Sequence, residues 1–423
     1  MRDQPGLHGA SVVLQSGSGA QRKTVPVAGT GIRPVGYGSH EALLPVAPRS
    51  FEGYRLLREY FVFPQRFLFF KLCGLRQAIA QMTGPEFDLL ILLDGHDVQL
   101  ENRVDESMFA LFCTPAINLF PKRTDRISLS ERFSEYQIVA DKTRTVDYEI
   151  FDLQRVEGIG NQQDETYRFT PFYFNYERDL NARAYYTLNR VERTLNPREI
   201  QQGGVRYPGS EVYLSLVDGN NAPYRPDLQQ LSITALCTNR HLPMTMPVGV
   251  GRTDFHLDIN APVAAIRALT SPTEPIPSHA HGELSWRVIS HLSLNYLTLV
   301  DTNAEEGAAA LRELLRLYAE HPGNAQVNAN VRKLINALGH VTSKPIIRRV
   351  LTPGPIAFAR GLEITLDVRE SEFSGNSAFL FGAVLEQFFA KYVSINSFTE
   401  TALRSERGEI KRWAARPGAR DLV

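Results

Sequence analysis

FVFPQRFLFF, residues 61–70, places five phenylalanines in ten positions of a chain whose formal charges cancel. Read as a strand, with side chains alternating at period two, it puts Phe61, Phe63, Phe67 and Phe69 on one face and Val62, Pro64, Leu68 and Phe70 on the other. Both faces are then largely apolar, so the stretch is expected to be a central strand covered on two sides. What lies against it decides how the surrounding layers are built.

The chain of 423 residues is too long for one compact core and is expected to divide into domains. A hydrophobic fraction of 43% and a charged fraction of 22% are ordinary for globular protein. Lysine plus arginine equals aspartate plus glutamate at 46 each, which removes the long-range field that non-specific binding to nucleic acid or anionic membrane needs. The three cysteines, Cys73, Cys113 and Cys237, stand far apart with no CxxC pair, which fits reduced thiols in a cytosol. MRDQPGLHGA lacks the apolar core of a signal peptide, and runs such as FDLLILL are too short to span a bilayer.

Outward from the aromatic stretch, four divisions are expected. Residues 1–32, rich in glycine and serine, read as a flexible lead-in. Residues 33–120 read as a small α+β unit in which LRQAIAQM is helical and EFDLLILLDG is a buried strand ending in a turn. Over 121–283 short strands follow one another (RISLSERF, YQIVAD, TVDYEIFDLQRV, TYRFTPFYFNY, RAYYTLNRVE, SEVYLSLVDG, QLSITALCTN), a pattern for a sandwich or a barrel. From 284 to 423 the period lengthens to that of helices. SWRVISHLSLNYLTLV carries Leu284, Val288, Leu292, Tyr296 and Leu299 as one stripe. TNAEEGAAALRELLRLYAEHPG begins with Thr302 and Glu305 at capping-box spacing, and VNANVRKLINALGH ends at Gly339 as a left-handed cap. RGLEITLDV alternates as a half-buried strand, and AFLFGAVLEQFFAKY is a helix apolar nearly all round. The fold class is therefore α+β, multi-domain and strand-rich.

Motifs for chemistry are sparse. Asp94, His96 and Asp97 follow a strand end, but Asp-Gly after an apolar run is turn chemistry. His279, His281 and Glu283 alternate in PSHAHGE, yet no further ligand has a metal-site spacing. His291 and Asn295 lie one helical turn apart on a polar face. No phosphate-binding, dinucleotide, nucleophile-elbow or zinc-peptidase motif occurs, so no catalytic, cofactor or metal residue is assigned. A carbohydrate-active β-rich hydrolase, whose carboxylates need no sequence proximity, and a small-ligand binding module stand as alternatives. In the tail RSERGEIKRWAARPGAR, arginines surround Trp413, the composition of either a solvated end or an interface anchor.

LLPVAPRSFEGYRLLREYFVFPQRFLFFKLCGL, CTPAINLFPKRTDRI, EVYLSLVD, LCTNRHLP, ISHLSLNYLTLVD, SAFLFGAVLEQFFAKYVSINSFTET and RGEIKRW, in this order, resemble the TssF (ImpG, VasA) family of type VI secretion baseplate subunits. The resemblance covers about residue 33 to the end. It implies a non-enzymatic wedge protein with no cofactor, cytoplasmic at the inner-membrane-docked baseplate. The implied partners are TssG, TssK, TssE and a second TssF copy, with no nucleic acid and no membrane insertion. The family carries a substantial segment ahead of the part matched, where this chain has its glycine-rich lead-in. For such a scaffold the aromatic and arginine-flanked positions Phe67, Phe69, Phe379, Phe388, Arg412 and Trp413 are the candidate interface residues.

Overall fold

A computed structural model describes residues 10–17, 22–27, 31–46, 51–82, 85–93, 104–160, 166–172, 184–194, 207–218, 228–276, 304–319, 325–350, 357–373 and 375–419. The chain forms two compact units, one from Met1–Ala116, Ser290–Glu320 and Asn324–Val423, the other from Ile117–Ile289 with His321–Gly323.

The stretch expected as a flexible lead-in supplies strands. β1 (Ala10–Ser16), β2 (Lys23–Pro26) and β3 (Ile32–Pro34) alternate inward residues, and Val12, Leu14, Val25 and Ile32 enter a small core. Their composition is polar and glycine-rich, but alternate valine and leucine suffice to bury one face once a partner strand is found.

FVFPQRFLFF is not a strand. Residues Glu52–Val62 form a helix, α1, and Pro64–Leu68 a 3₁₀ turn, so extended structure begins only at Phe70 in β4 (Phe70–Leu72). Two local rules override the strand propensity of phenylalanine. Leu56, Leu57, Tyr60 and Phe61 recur at helical spacing and are buried. Pro64 then disfavours helical backbone at Phe63, which adopts φ −144° and ends the helix. After α2 (Leu75–Ile79), β5 (Asp88–Leu93) pairs with β1 in a three-stranded sheet of order β2-β1-β5. β5 was expected to be buried, yet Leu90 and Leu92 on its outer face are exposed.

α1 is held by its one buried carboxylate. Glu59 Oε1 accepts from the backbone N–H of Leu43 and of Leu44, each at 3.0 Å. Its Oε2 accepts from Arg55 at 2.9 Å and pairs with the fully buried Arg66. Arg66 also donates to the carbonyls of Gly36 and Glu41. Burial pulls the Arg66 guanidinium down from its usual range, and the Glu59 charge opposes that pull.

The second unit is one eight-stranded sheet of β6 (Phe120–Arg123), β7 (Ile127–Ser128), β8 (Tyr136–Ile138), β9 (Glu149–Gly160), β10 (Thr166–Pro171), β11 (Ala184–Glu192), β12 (Ser210–Asp218) and β13 (Leu228–Thr238). Its order is β6-β13-β9-β10-β11-β12-β8, with β7 beside β13. All pairings are antiparallel except β10 with β11. Ile138 of the last strand shares one apolar cluster with Val156, Leu214, Ile233 and Cys237, so the sheet curls around its own inner face. Of the sandwich and the barrel left open by the strand pattern, this is the barrel-like arrangement, with one sheet closing over its core.

The C-terminal part returns to the first unit with α3 (Ala304–Arg316), α4 (Ala325–Asn336), β14 (Leu338–Val350), β15 (Ala357–Val368), α5 (Ala378–Tyr392), β16 (Ser397–Ser405) and β17 (Gly408–Pro417). The sheet order is β14-β15-β16-β17, and α5 is the crossover that joins the parallel pair β15 and β16. The helix stripe expected at 284–299 and Thr302 of the expected capping box lie outside the described residues, while Glu305 falls in the first turn of α3.

Gly339 is no left-handed cap. It sits inside β14, and the carbonyls at the end of α4 are met instead by Arg369, which donates to Asn336 through its side chain and to Ala337 through its backbone N–H at 2.8 Å. Nor is the tail a solvated end, because β17 pairs with β16 along most of its length. α1 and α5, read above as parts of separate domains, pack together through Phe51, Tyr54, Phe388 and Tyr392, with edge-to-face rings at 5.7 Å for Phe51 and Phe388. A Cβ at Gly53 would come within 2.8 Å of the Phe388 ring, so the close approach needs glycine there.

Truncating Glu59→Ala leaves Arg66 buried without its counter-charge and is expected to destabilise the first unit by about 3–5 kcal/mol, read as a lowered urea midpoint. A midpoint unchanged from wild type would contradict the role given to Glu59.

Candidate interaction surfaces

The six residues expected at an interface do not form one surface. Phe67 and Phe388 are buried at 2% and 0% exposure. Phe67 lies against Tyr37 and Tyr60, and Phe388 sits in the α1–α5 aromatic cluster, so both are core residues. Trp413 is also buried, stacked on Phe379 with ring centroids 5.9 Å apart. Gly382 makes room for this stack, since a Cβ there would lie 3.1 Å from the tryptophan ring. Phe69 and Phe379 are half-buried, and only Arg412 is exposed.

Arg412 is engaged within its own sheet, donating to Glu409 at 2.9 Å and to Glu363. The Glu409 and Glu363 carboxylates hold its guanidinium above the usual range. On the same face Arg348 forms a two-pronged pair with Glu400 at 2.7 and 2.8 Å, which lowers the Glu400 carboxyl. Asp94, His96, Asp97, His279, His281, Glu283, His291 and Asn295 lie outside the described residues. Among the described residues, no three His, Cys, Asp or Glu side chains are placed to hold a metal ion.

Exposed apolar side chains occur on strands, among them Leu188 and Val191 of β11, and in two irregular segments. In the first unit, residues 104–116 present Met108, Phe109, Leu111 and Phe112 to solvent, and Phe112 holds a positive φ of 58° that a bulky residue seldom adopts. Phe109 touches Phe70 edge to face at 6.3 Å. In the second unit, residues 244–269 expose Met244, Val250, Leu257, Ile259, Val263 and Leu269. This segment is shaped by Asp254, whose carboxylate accepts from the backbone N–H of Gly249 at 2.8 Å and of Ala268 at 2.9 Å. Those bonds, Ala268 first, keep the Asp254 carboxyl below its usual range. A composition scan weighted toward aromatics misses this segment, where the apolar residues are mostly aliphatic and scattered among prolines.

The remaining notable group is Glu386 on α5. It is buried, and burial raises its carboxyl pKa against the pull of Arg416, whose Nε lies 2.6 Å from Oε1.

The comparisons with known proteins bear on what these surfaces are for. A family model described as "Type VI secretion system, TssF" matches residues 7–420. The chain belongs to the TssF family of the type VI secretion system. A curated relative in Pseudomonas aeruginosa, "Type VI secretion system component TssF1", is 49% identical over 396 residues, which cover 92% of this chain and 62% of the relative. The chain thus spans under two thirds of that TssF relative's length. A chain in the cryo-electron microscopy structure of a type VI secretion system TssK-TssF-TssG baseplate subcomplex shares the fold, with a TM-score of 0.67 at 22% identity over 98% of this chain and 71% of that one.

Two outcomes separate core from surface in this TssF-family chain. Phe67→Ala and Phe388→Ala are expected to cost about 3–5 kcal/mol each, whereas Phe112→Ser is expected to stay within about 0.5 kcal/mol, all by urea unfolding. For Glu386, a raised folded-state pKa means that the ionised form is the costly one. The cost is absent at low pH and develops as pH rises through the ordinary carboxylate range, so the melting temperature of Glu386→Gln relative to wild type should be higher at pH 8 than at pH 4. The reverse trend would show that Arg416 outweighs burial.

Proposed function

We propose that the chain is a structural subunit of a type VI secretion baseplate, acting by protein–protein assembly and without catalysis. The observation that carries this reading is the family match across nearly the whole chain, residues 7–420. The arrangement of apolar surface agrees with it. Exposed apolar side chains are spread along irregular segments of both units, as expected of a protein that contacts several neighbours.

TssG and TssK, named with the solved subcomplex that shares the fold, are the proposed direct partners. A second TssF copy and TssE complete the proposed set, following the family resemblance. The proposed location is the cytoplasmic face of the inner membrane, through the docked baseplate. Among the described residues no helix is long and apolar enough to cross a membrane. Phe69, Phe379 and Arg412 keep exposed atoms and remain proposed contact residues, while Phe67, Phe388 and Trp413 support the surface from beneath.

Co-expression with TssG and TssK of the same system, followed by size-exclusion chromatography with mass measurement, tests the reading. A stable complex containing the chain is expected. A folded chain that elutes alone in the presence of both would overturn it.

A further inference from the structure

The β14–β15 hairpin runs on beyond the strand that joins it. β14 pairs with β15 from Leu338 to Val350, but β16 joins β15 only from Arg360 onward, so the outer end of the hairpin has no third strand. The register gives its two faces. On the face that starts from the core, the cross-strand pairs are Val341 with Leu366, Ser343 with Ile364, Pro345 with Leu362, Ile347 with Arg360 and Arg349 with Phe358. Val341, Ile364 and Leu366 are fully buried, whereas Ile347 and Phe358 are 63% and 68% exposed. The apolar stripe of the core therefore continues outward into solvent.

The arginines of this sheet differ in pairing, and on the core face Arg416 is paired with Glu386 of α5. Arg348 and Arg412, on the opposite face, are paired with Glu400 and with Glu363 and Glu409. Among the described residues, Arg349 and Arg360 have no carboxylate partner, and each stands directly across from an exposed apolar side chain. The result is a checkerboard of two cations and two apolar groups on one face of the hairpin. Arginine beside an apolar anchor is the usual composition of an interface centre.

We propose that Ile347, Arg349, Phe358 and Arg360 form a docking surface for a segment of another protein subunit that presents carboxylates alternating with apolar side chains. Charge complementarity selects that occupant, since two unpaired guanidinium groups flanking the apolar pair disfavour a neutral or basic partner. An anionic lipid surface fits less well, because headgroup recognition draws on clusters of 4–8 basic residues and this face offers two. The proposal deepens the assembly reading above and rests on it only for the expectation that the partner belongs to the secretion machinery.

The test is site-specific photocrosslinking in the full chain. Phe358→p-benzoylphenylalanine is expressed in cells producing the whole secretion system, and the captured peptide is sequenced. The expected result is a cross-link to a carboxylate-bearing segment of another subunit, reduced about tenfold when Arg349→Glu and Arg360→Glu are added while the melting temperature holds. If that double variant melts early, Arg349→Gln with Arg360→Gln replaces it. If the probe itself lowers the melt, Ile347→p-benzoylphenylalanine carries it instead. A missing cross-link, one insensitive to the arginines, one to a second copy of this chain, or arginine-dependent binding to phosphatidylglycerol vesicles would each overturn the proposal. A charge-dependent cross-link to an acidic segment of a protein outside the secretion system would sustain the docking surface and overturn the baseplate reading. A complex with TssG and TssK that forms without this cross-link would do the opposite.

Discussion

A single buried carboxylate organises the first unit. Glu59 lies on α1 where nothing but protein can solvate it, so its charge must be answered by donors at fixed positions. Arg55 answers from the same helix, Arg66 from the 3₁₀ turn that follows, and the backbone of Leu43 and Leu44 from the segment before. Three stretches of chain are thereby fixed to one point. Ion pairs of this kind cost nearly as much to desolvate as they return, so their main effect here is to select one arrangement among compact alternatives. With α1 so fixed, Phe51 and Tyr54 meet α5, and the crossover between β15 and β16 is held against the N-terminal part.

Five phenylalanines in ten residues resemble a strand by propensity, but the helical spacing of Leu56, Leu57, Tyr60 and Phe61 begins ahead of the stretch, and Pro64 breaks the stretch in two. Where one period persisted through an element, the sequence was legible: α3, α5, β15 and most strands of the second unit lie where alternation or helical spacing places them. β1 is not marked by a local pattern because one of its partners, β5, is distant in sequence, Ala10 pairing with Leu93, and β2 joins the sheet only through β1. Gly339 misled for a similar reason, since the arginines that satisfy the end of α4 come from elsewhere in the chain.

Exposure was the least legible property. Aromatic and arginine-rich composition marks a protein core and a protein interface alike, and Phe67, Phe388 and Trp413 turned out to be core. Conversely, residues 104–116 and 244–269 have no regular period, and their exposed Leu111, Ile259 and Leu269 are ordinary residue types in proline-broken segments. Burial is a property of three dimensions, and a one-dimensional pattern reports it only where an element repeats.

These observations assign the two kinds of apolar surface different physical tasks. The buried rings between α1 and α5 pack on one another, Phe51 at edge-to-face angles to Phe388 and Tyr392. Exposed groups lie both on strands, as Ile347 and Phe358 do, and on irregular segments such as the Asp254 turn with its two backbone bonds. Contact energy at such places is realised only when a neighbour excludes water from them, because the chain alone leaves them wet.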